Sequence, residues 1–431
     1  MGILTSLFTG VSGLSSNGNA LSVIGDNIAN SNTTGFKGSR AIFGDILSQA
    51  LGGGSAFQIG RGVSMQSVEA QFTQGTLEST SNPLDLAIEG DGFFLVNSTA
   101  GATYYTRAGQ FHLDRDGNVI NPEGLLLQGY LAQQNNALGT INVASINSQP
   151  NATADVNVYT NLNSNDVTMA GFNIADPTGT SNFSTSITVY DSLGNSHLIS
   201  VYFTKTAANT WSWNAVANAT EVTSTSVSGA NARIASGALG FTTNGALNTE
   251  SAVTYYNSVT PTGVDFTGAT ANQVIAFDFG TSITTDGGTG LDGTTQFGSP
   301  SSVFFQSQDG FTSGSLQSLI VDQNGVITGV FTNGQVQEIA SVAISRFVAP
   351  LELSKIGRNL YAESSGSGQP IIGTAGTSGR GRVLANSLEA SNVDLAEEFV
   401  KMIAAQRGFQ ANTRVITTTD DMLTELMNIK R

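Results

Sequence analysis

With 431 residues the chain is long enough for two or three domains, and 17 basic against 32 acidic side chains give a net charge of −15, which argues against nucleic acid as a partner. Charged residues make up only 11% of it, against roughly 25% in an ordinary globular domain; hydrophobic residues hold 39%, so a fully disordered chain is excluded and a β-rich fold with many Gly, Ser, Thr and Asn turns is favoured. The absence of cysteine rules out disulfides and thiolate metal sites, and no apolar run approaches the roughly 18 residues of a membrane span, so no membrane insertion is expected.

The opening MGILTSLFTGVSGLSS has no basic residue ahead of its apolar part and makes a poor cleavable signal peptide. It begins a predicted helix instead. Leu7, Leu14, Leu21 and Ile28 stand seven apart, Leu4 and Val11 precede two of them by three, and the same register then falls on Gly18 and Gly25. This is a heptad seam with small residues in its later part. Each interior Gly costs about 1 kcal/mol relative to Ala, and Ser15, Ser16, Asn17 and Asn19 are weak formers, so the helix is marginal on its own. It ends in NIANSNTTGFK, where Asn30, Asn32, Thr34, Gly35, Phe36 and Lys37 form a polar turn. Gly35 suits positive φ, the Asn and Ser side chains bond nearby backbone, and Phe36 is expected to anchor on a neighbouring chain. Residues 31–70 read as a connector, mobile over 37–70, including LGGGS.

Beyond it the period drops from seven to two. In PLDLAIEGDGFFLV, Leu84, Leu86 and Ile88 share one face and Asp85 and Glu89 the other, and Gly90-Asp91-Gly92 turns the chain into Phe93–Val96. Phe111 and Leu113 are expected on one side of a strand leading to a hairpin at Asp116-Gly117. TSITVYDSLGNSHLISVYFTK reads as strand, turn at Leu193-Gly194-Asn195, and strand; WSWNAV places Trp211 and Trp213 on one face, and NQVIAFDFG is a further strand. Asn324-Gly325 and Asn333-Gly334 mark two more hairpins. Pro150 and the Gly-rich stretch TSITTDGGTGLDGTTQFGSP bound an inserted β domain, 151–310, inside a discontinuous β domain of 71–150 plus 311–385.

The C-terminal end returns to seven. Leu388, Leu395, Met402, Phe409, Ile416 and Leu423 form one apolar line, flanked by Phe399, Ile403 and Leu426, while Gln406, Thr413 and Asp420 are polar companions. A helix of about 35 residues, some 50 Å long, is expected. Ser391 or Asn392 is its expected cap; Asp394, Glu397 and Glu398 suit its first turns, and Lys430 and Arg431 its end. Residues 1–30 with 386–431 would form a coiled-coil-like helical domain. Its polar-spaced seams make a self-sufficient pair unfavourable, so both ends are expected to stay loose in the monomer and to become helical when copies pack side by side. The fold class expected is multidomain α+β: terminal helices, with two mainly β outer domains, one inserted in the other.

No catalytic site assembles. His112 and His197 are the only histidines, and both read as structural. LDRDGNVI fails as a calcium loop, since Val119 stands where the loop needs Gly and no Glu falls at the twelfth place; a hairpin is the better account. GSGQPIIGTAGTSGRGRV lacks the following helix that phosphate binding needs. No enzyme, metal or cofactor is expected.

The segments NIANSNTTGFK, DLAIEGDGFFLV, YTRAGQFHLDRDGNVINPEGLLLQGY and SNVDLAEEFVKMIAAQRGFQANTRVITTTDDML together resemble the bacterial flagellar rod and hook family. YDSLGNSHLISVYFTK, DQNGVITGVFTNGQVQEIASVAISRF and the long insert resemble its hook members in particular; Val348-Ala349-Pro350-Leu351-Glu352-Leu353 departs from the Asn-Pro-x-Gly-Leu type turn usual there. The resemblance implies a self-assembling, curved tube that joins rod to filament as a universal joint, with the chain ends forming an inner helical layer around a channel. It implies an extracellular place in the flagellar hook and export, unfolded, through the flagellar type III apparatus. Its implied partners are many further copies and the rod, hook cap and hook–filament junction proteins. A rod protein forming a straight shaft, a secreted adhesin and a polysaccharide hydrolase with a carboxylate pair are the alternative readings.

Overall fold

A computed structural model of the protein describes residues 2–46, 49–50, 58–144, 146–257 and 262–429. Lys430, Arg431 and the LGGGS stretch lie outside the described residues, as does the side chain of Leu426. The chain folds as two compact units, Met1–Ile146 with Gln317–Val330 and Val336–Arg431, and Asn147–Leu316 with Phe331–Gln335.

The first unit holds both terminal helices, α1 (Gly2–Ala29) and α2 (Leu395–Ile429), and a mainly antiparallel sheet. The centre of that sheet is the strand Val336–Arg346, which is buried on both faces from Ile339 to Ser345. It pairs with Leu126–Leu131, Phe93–Asn97 and Ile371–Thr374. An aromatic cluster fills one side: Phe72 meets Phe93 edge-on at 5.3 Å and Tyr105 meets Phe347 at 4.8 Å. Such edge-to-face pairs add about 0.5–1.5 kcal/mol beyond the area they bury.

Several local expectations change here. The strand Leu86–Glu89 does not alternate: Ala87 is as buried as Leu86 and Ile88, because Arg382–Ala385 pairs with it and both its faces are covered. Phe111 is buried and Leu113 exposed, since Leu113 belongs to a short hairpin, paired with Val119. The glycine-rich GSGQPIIGTAGTSGRGRV contributes the strands Ile371–Thr374 and Arg382–Ala385. The connector is partly regular: Ser39–Asp45 and Val63–Ala70 pair antiparallel from Ser39 against Ala70 to Asp45 against Val63, with an irregularity between Ile42 and Phe43.

Three hairpin turns share one device. Asp114, Asp191 and Asp322 each accept, through Oδ1, the backbone N–H four residues on, at 2.8, 2.9 and 2.8 Å. The glycine before that residue takes φ of 76°, 83° and 73° at positions 117, 194 and 325. The aspartate thus satisfies turn amides while the glycine supplies the left-handed backbone.

The second unit is all β. Phe183–Tyr190, Ser196–Ala207, Thr210–Asn218 and Asn231–Phe241 form an antiparallel meander, and Asp155–Asn161 lies between Ala276–Asp278 and Ser302–Gln308 in a smaller sheet. Trp211 and Trp213 both face the core; Trp213 lies 5.0 Å from Phe277 and 5.1 Å from Phe279, and Trp211 donates Nε1–H to Gln296 Oε1 at 2.8 Å. His197 is structural in its setting, stacked 4.2 Å over Phe266 with Nδ1 2.9 Å from Glu221 and Nε2 3.3 Å from Asp191.

Glu250 holds its proton far above the usual carboxylate range. Burial, with Asp278 and Asp286 nearby, pushes it from 4.5 to about 7. Between those values the native state holds a proton that the unfolded chain has released, so this group makes stability fall as pH rises through that window. Glu250→Gln should flatten that slope and raise the melting midpoint of this unit at pH 8. Fluorescence reads it selectively, because both tryptophans of the chain lie in the second unit. A variant that keeps the slope and midpoint of the parent would refute the assignment.

Candidate functional site

The termini of the chain meet as an antiparallel helix pair. The contact does not use the Leu7–Leu14–Leu21–Ile28 line, and of the apolar line on α2 Ile416 takes part, packing where Gly10 leaves room. It uses a stripe of mainly small and polar residues, Gly10, Gly13, Asn17 and Asn27 on α1 with the buried Ile24 among them, and Glu398, Ala405, Gly408 and Asn412 on α2. Two Gly-x-x-x-Asn motifs interlock. Asn17 donates to the Gly13 carbonyl at 2.8 Å, and Asn412 donates to the Gly408 carbonyl at 3.0 Å. A Cβ at Gly13 would lie 2.8 Å from the Asn412 amide, and one at Gly408 would lie 2.8 Å from Asn17 Oδ1. Each asparagine therefore sits in the notch left by the other helix's glycine. Side chains at either glycine would push the helices apart.

At the base of the pair Asn27 bridges three elements. Its amide accepts from Ser39 N at 2.8 Å and donates to Ser39 O at 2.8 Å and to Glu398 Oε2 at 3.1 Å. Glu398 also accepts from Lys401 at 2.8 Å. α2 begins where Asp394 Oδ1 accepts the N–H groups of Ala396 at 2.8 Å and Glu397 at 3.2 Å. Asp394 is thus the cap, in place of Ser391 or Asn392. Asn392 is instead engaged with the connector, accepting from Gly38 N at 2.8 Å and donating to the Gln71 carbonyl at 2.7 Å.

The NSNTTGFK turn closes on a buried ionic clasp. Lys37 Nζ lies 2.6 Å from Glu389 Oε1 and donates to the Thr73 carbonyl at 2.7 Å. Gly75 N–H donates to the same carboxylate oxygen at 2.9 Å, and Arg107 approaches Oε2 at 3.5 Å. Arg107 also donates to the Gly90 carbonyl at 2.9 Å and lies 5.3 Å over the Phe93 ring. All three charged side chains are buried. Burial pushes the Lys37 ammonium below its usual range, against the pull of Glu389, and does the same to the Arg107 guanidinium. Two cations share one carboxylate, and the clasp ties the turn after α1, the sheet and the strand before α2 into one body.

The motif residues fall around this clasp. Asn30 donates to Asp26 O at 2.9 Å and accepts from Thr33 Oγ1 at 3.1 Å. Asn32 is exposed. The Thr34 carbonyl accepts from Asn359 at 2.8 Å. Gly35 has φ 68° and donates N–H to the Glu389 carbonyl at 2.7 Å. Phe36 is buried within its own chain, with Lys355 Nζ 5.7 Å from its ring, so the expected anchorage on a neighbouring chain is corrected.

The predicted seam residues are spread differently. Leu7, Leu14, Leu21, Ile28, Met402 and Leu423 are half-buried beside the contact, and Ile416, also half-buried, lies in it against Gly10. Leu4, Val11, Leu395, Phe399, Ile403 and Phe409 are exposed. Leu388 is not helical: it lies in the strand Ser387–Glu389, paired with Leu77–Ser79. The sequence reading missed the glycine–asparagine notches, Asn27, Arg107 and Glu389. The paired Gly-x-x-x-Asn spacing, seen in both terminal helices, was the available signal for the first. Among the described residues no group of three or more His, Asp or Glu is placed to hold a metal ion, and no helix is long and apolar enough to cross a membrane.

Comparison with known proteins returns one family along the chain. The flagella basal body rod protein model matches residues 7–37, the flagellar hook protein FlgE/F/G D1 domain matches 87–184, the flagellar basal body protein FlaE D2 domain matches 161–311, and the flagellar basal body rod FlgEFG protein C-terminal model matches 384–429. The flagellar hook protein FlgE of Treponema pallidum is 34% identical over 476 residues, covering 100% of both chains. That of Borreliella burgdorferi is 33% identical, covering 99% of this chain and 100% of its own, and that of Salmonella typhimurium 34% identical, covering 97% and 98%. With that identity carried from end to end, the chain belongs to the flagellar hook protein family.

Proposed function

We propose that copies of this chain assemble into the curved, flexible tube of a bacterial flagellar hook, a universal joint that passes torque from rod to filament. The observation that carries the reading is the divided surface of the terminal helices. They meet each other through glycine and asparagine, while leucine, valine and phenylalanine side chains stay exposed on their outer sides. A helix pair finished in itself would bury them.

In this reading residues 1–30 and 386–431 line the channel, 31–70 connect, 71–150 with 311–385 form the next layer, and 151–310 lie outermost. The seam residues named above pack between copies. The Ser, Thr and Asn surfaces of the outer domains meet through small, wet contacts that exchange as the tube turns. The chain acts outside the cell as a structural part and not as an enzyme. Its neighbours are rod, cap and junction proteins, and it leaves the cell through the flagellar export apparatus.

Electron microscopy of concentrated protein is the direct test. Curved tubes are expected; straight shafts would place the chain among rod proteins, and no polymer would overturn the reading. Deleting 151–310 should alter curvature or flexibility while tubes still form. Hydrogen exchange should find α1 and α2, already paired within one chain, better protected in tubes than in dilute monomer.

A further inference from the structure

The outer faces of the two terminal helices differ in bulk at the same height, and this difference names how neighbouring copies meet. The contacts Gly13–Asn412, Asn17–Gly408 and Asn27–Glu398 fix the level of one helix against the other. They put Ser22 level with Ile403. At 100° per residue, Ser22, Gly25 and Ala29 lie on the side of α1 away from α2, and Ile403 and Phe399 on the side of α2 away from α1.

On α2 that face stands proud and apolar: Leu395, Phe399 and Ile403 are 42%, 46% and 49% exposed. On α1 the face at the same level is shallow. A Cβ added at Gly25 would meet nothing within 4 Å. α1 has no charged side chain before Asp26, and the Asp26 carboxylate already accepts from Asn30 at 3.1 Å. At the far end of the pair the sizes reverse: Phe8, 67% exposed, stands level with the small exposed Thr417.

We propose that the outer face of α2 in one copy docks on the outer face of α1 in the next, Leu395, Phe399 and Ile403 seating over Ser22, Gly25 and Ala29. This deepens the tube reading and rests on it. The bulky and shallow faces lie on opposite sides of one helix pair at one height. A copy displaced sideways, without tilt or reversal, therefore brings knob to notch. The contact is heterologous, each copy using two different faces, so it repeats around or along an array without self-limiting at a dimer. Joining like faces would set bulk against bulk at α2 and leave an open groove at α1. Ser22, Gly25 and Ala29 offer no charge; Asp26, level with Phe399 on this side of α1, keeps its carboxylate hydrogen-bonded to Asn30 at 3.1 Å beside the seated ring.

The cysteine-free chain makes the test clean. Ser22→Cys with Ile403→Cys in one chain, oxidised after assembly, should give a ladder of covalent oligomers on a denaturing gel. The two sites point apart within one copy, so the oxidised monomer should form no internal bridge. Ser22→Cys and Ile403→Cys on separate chains, diluted into wild-type protein and co-assembled, should give dimers of unlike chains only, and this arm survives if the double variant assembles poorly. Dimers of Ile403→Cys with itself, an internal bridge, or tubes of normal form without unlike-chain dimers would each overturn the docking while leaving the hook reading standing. Failure of wild-type protein to form tubes would instead overturn the hook reading.

Discussion

Glu389→Gln should destabilise the first unit by about 3–5 kcal/mol, the range for removing one partner of a buried ion pair. Among the described residues this carboxylate is the only anion directly paired with Lys37 and Arg107, at 2.6 and 3.5 Å, and all three side chains are buried. The neutral amide leaves two buried cations facing each other without an anion between them. Lys37→Met should cost less, because Glu389 keeps Arg107 while the methionine fills the lysine's volume. That order separates a charge effect from a packing effect. Far-ultraviolet dichroism follows the terminal helices, and tryptophan fluorescence follows the second unit alone. The helical signal should melt earlier in Glu389→Gln with the fluorescence transition unmoved. Equal midpoints for parent and variant, or a larger loss in Lys37→Met, would refute the clasp as the anchor of the termini.

Gly35→Val should be nearly as severe, at roughly 2–5 kcal/mol from left-handed backbone strain and overpacking together. Gly35 has φ 68°, and a Cβ there would lie 2.6 Å from Ala108 N and 2.7 Å from the Arg107 carbonyl carbon. Those neighbours are backbone, next to the clasp, and cannot rotate aside. Gly35→Ala should already lose much of this stability, since the Cβ is what collides; Val adds β-branching. In denaturant titration both variants should lower the midpoint of the helical transition, Val more than Ala. A tolerated alanine would mean the turn can re-form without its Glu389 carbonyl contact, which Gly35 N–H makes at 2.7 Å.

Much of the chain was legible before any coordinates. The turns at Asp116-Gly117, Leu193-Gly194-Asn195 and Asn324-Gly325 declare themselves because a glycine beside a short polar residue solves a local backbone problem whatever lies around it, although the capping carboxylates of Asp114, Asp191 and Asp322 emerged only in the structure. The period-two strands of the second unit and the tryptophans of WSWNAV were equally plain, since alternate residues of a strand must face opposite ways. The two long helices and the family motifs also came from residues alone. What could not be read was which face of each helix is spoken for. Heptad counting picks the most apolar line, Leu7–Leu14–Leu21–Ile28, yet close approach of two helices favours the least bulky line: Gly13 and Gly408 leave the notches that the Asn412 and Asn17 side chains need, and Gly10 leaves room for Ile416. Leu388 kept the right spacing for a helix but sits beside Glu389, whose place in the clasp holds both in a strand against Leu77–Ser79. Lys37, Arg107 and Glu389 are dispersed along the chain, and no spacing rule joins them. Sequence by itself determined most of the local conformations, because turn chemistry and side-chain period act on the backbone directly. Only the tertiary structure decided which residues meet, because burial and charge pairing depend on neighbours that chain order does not contain.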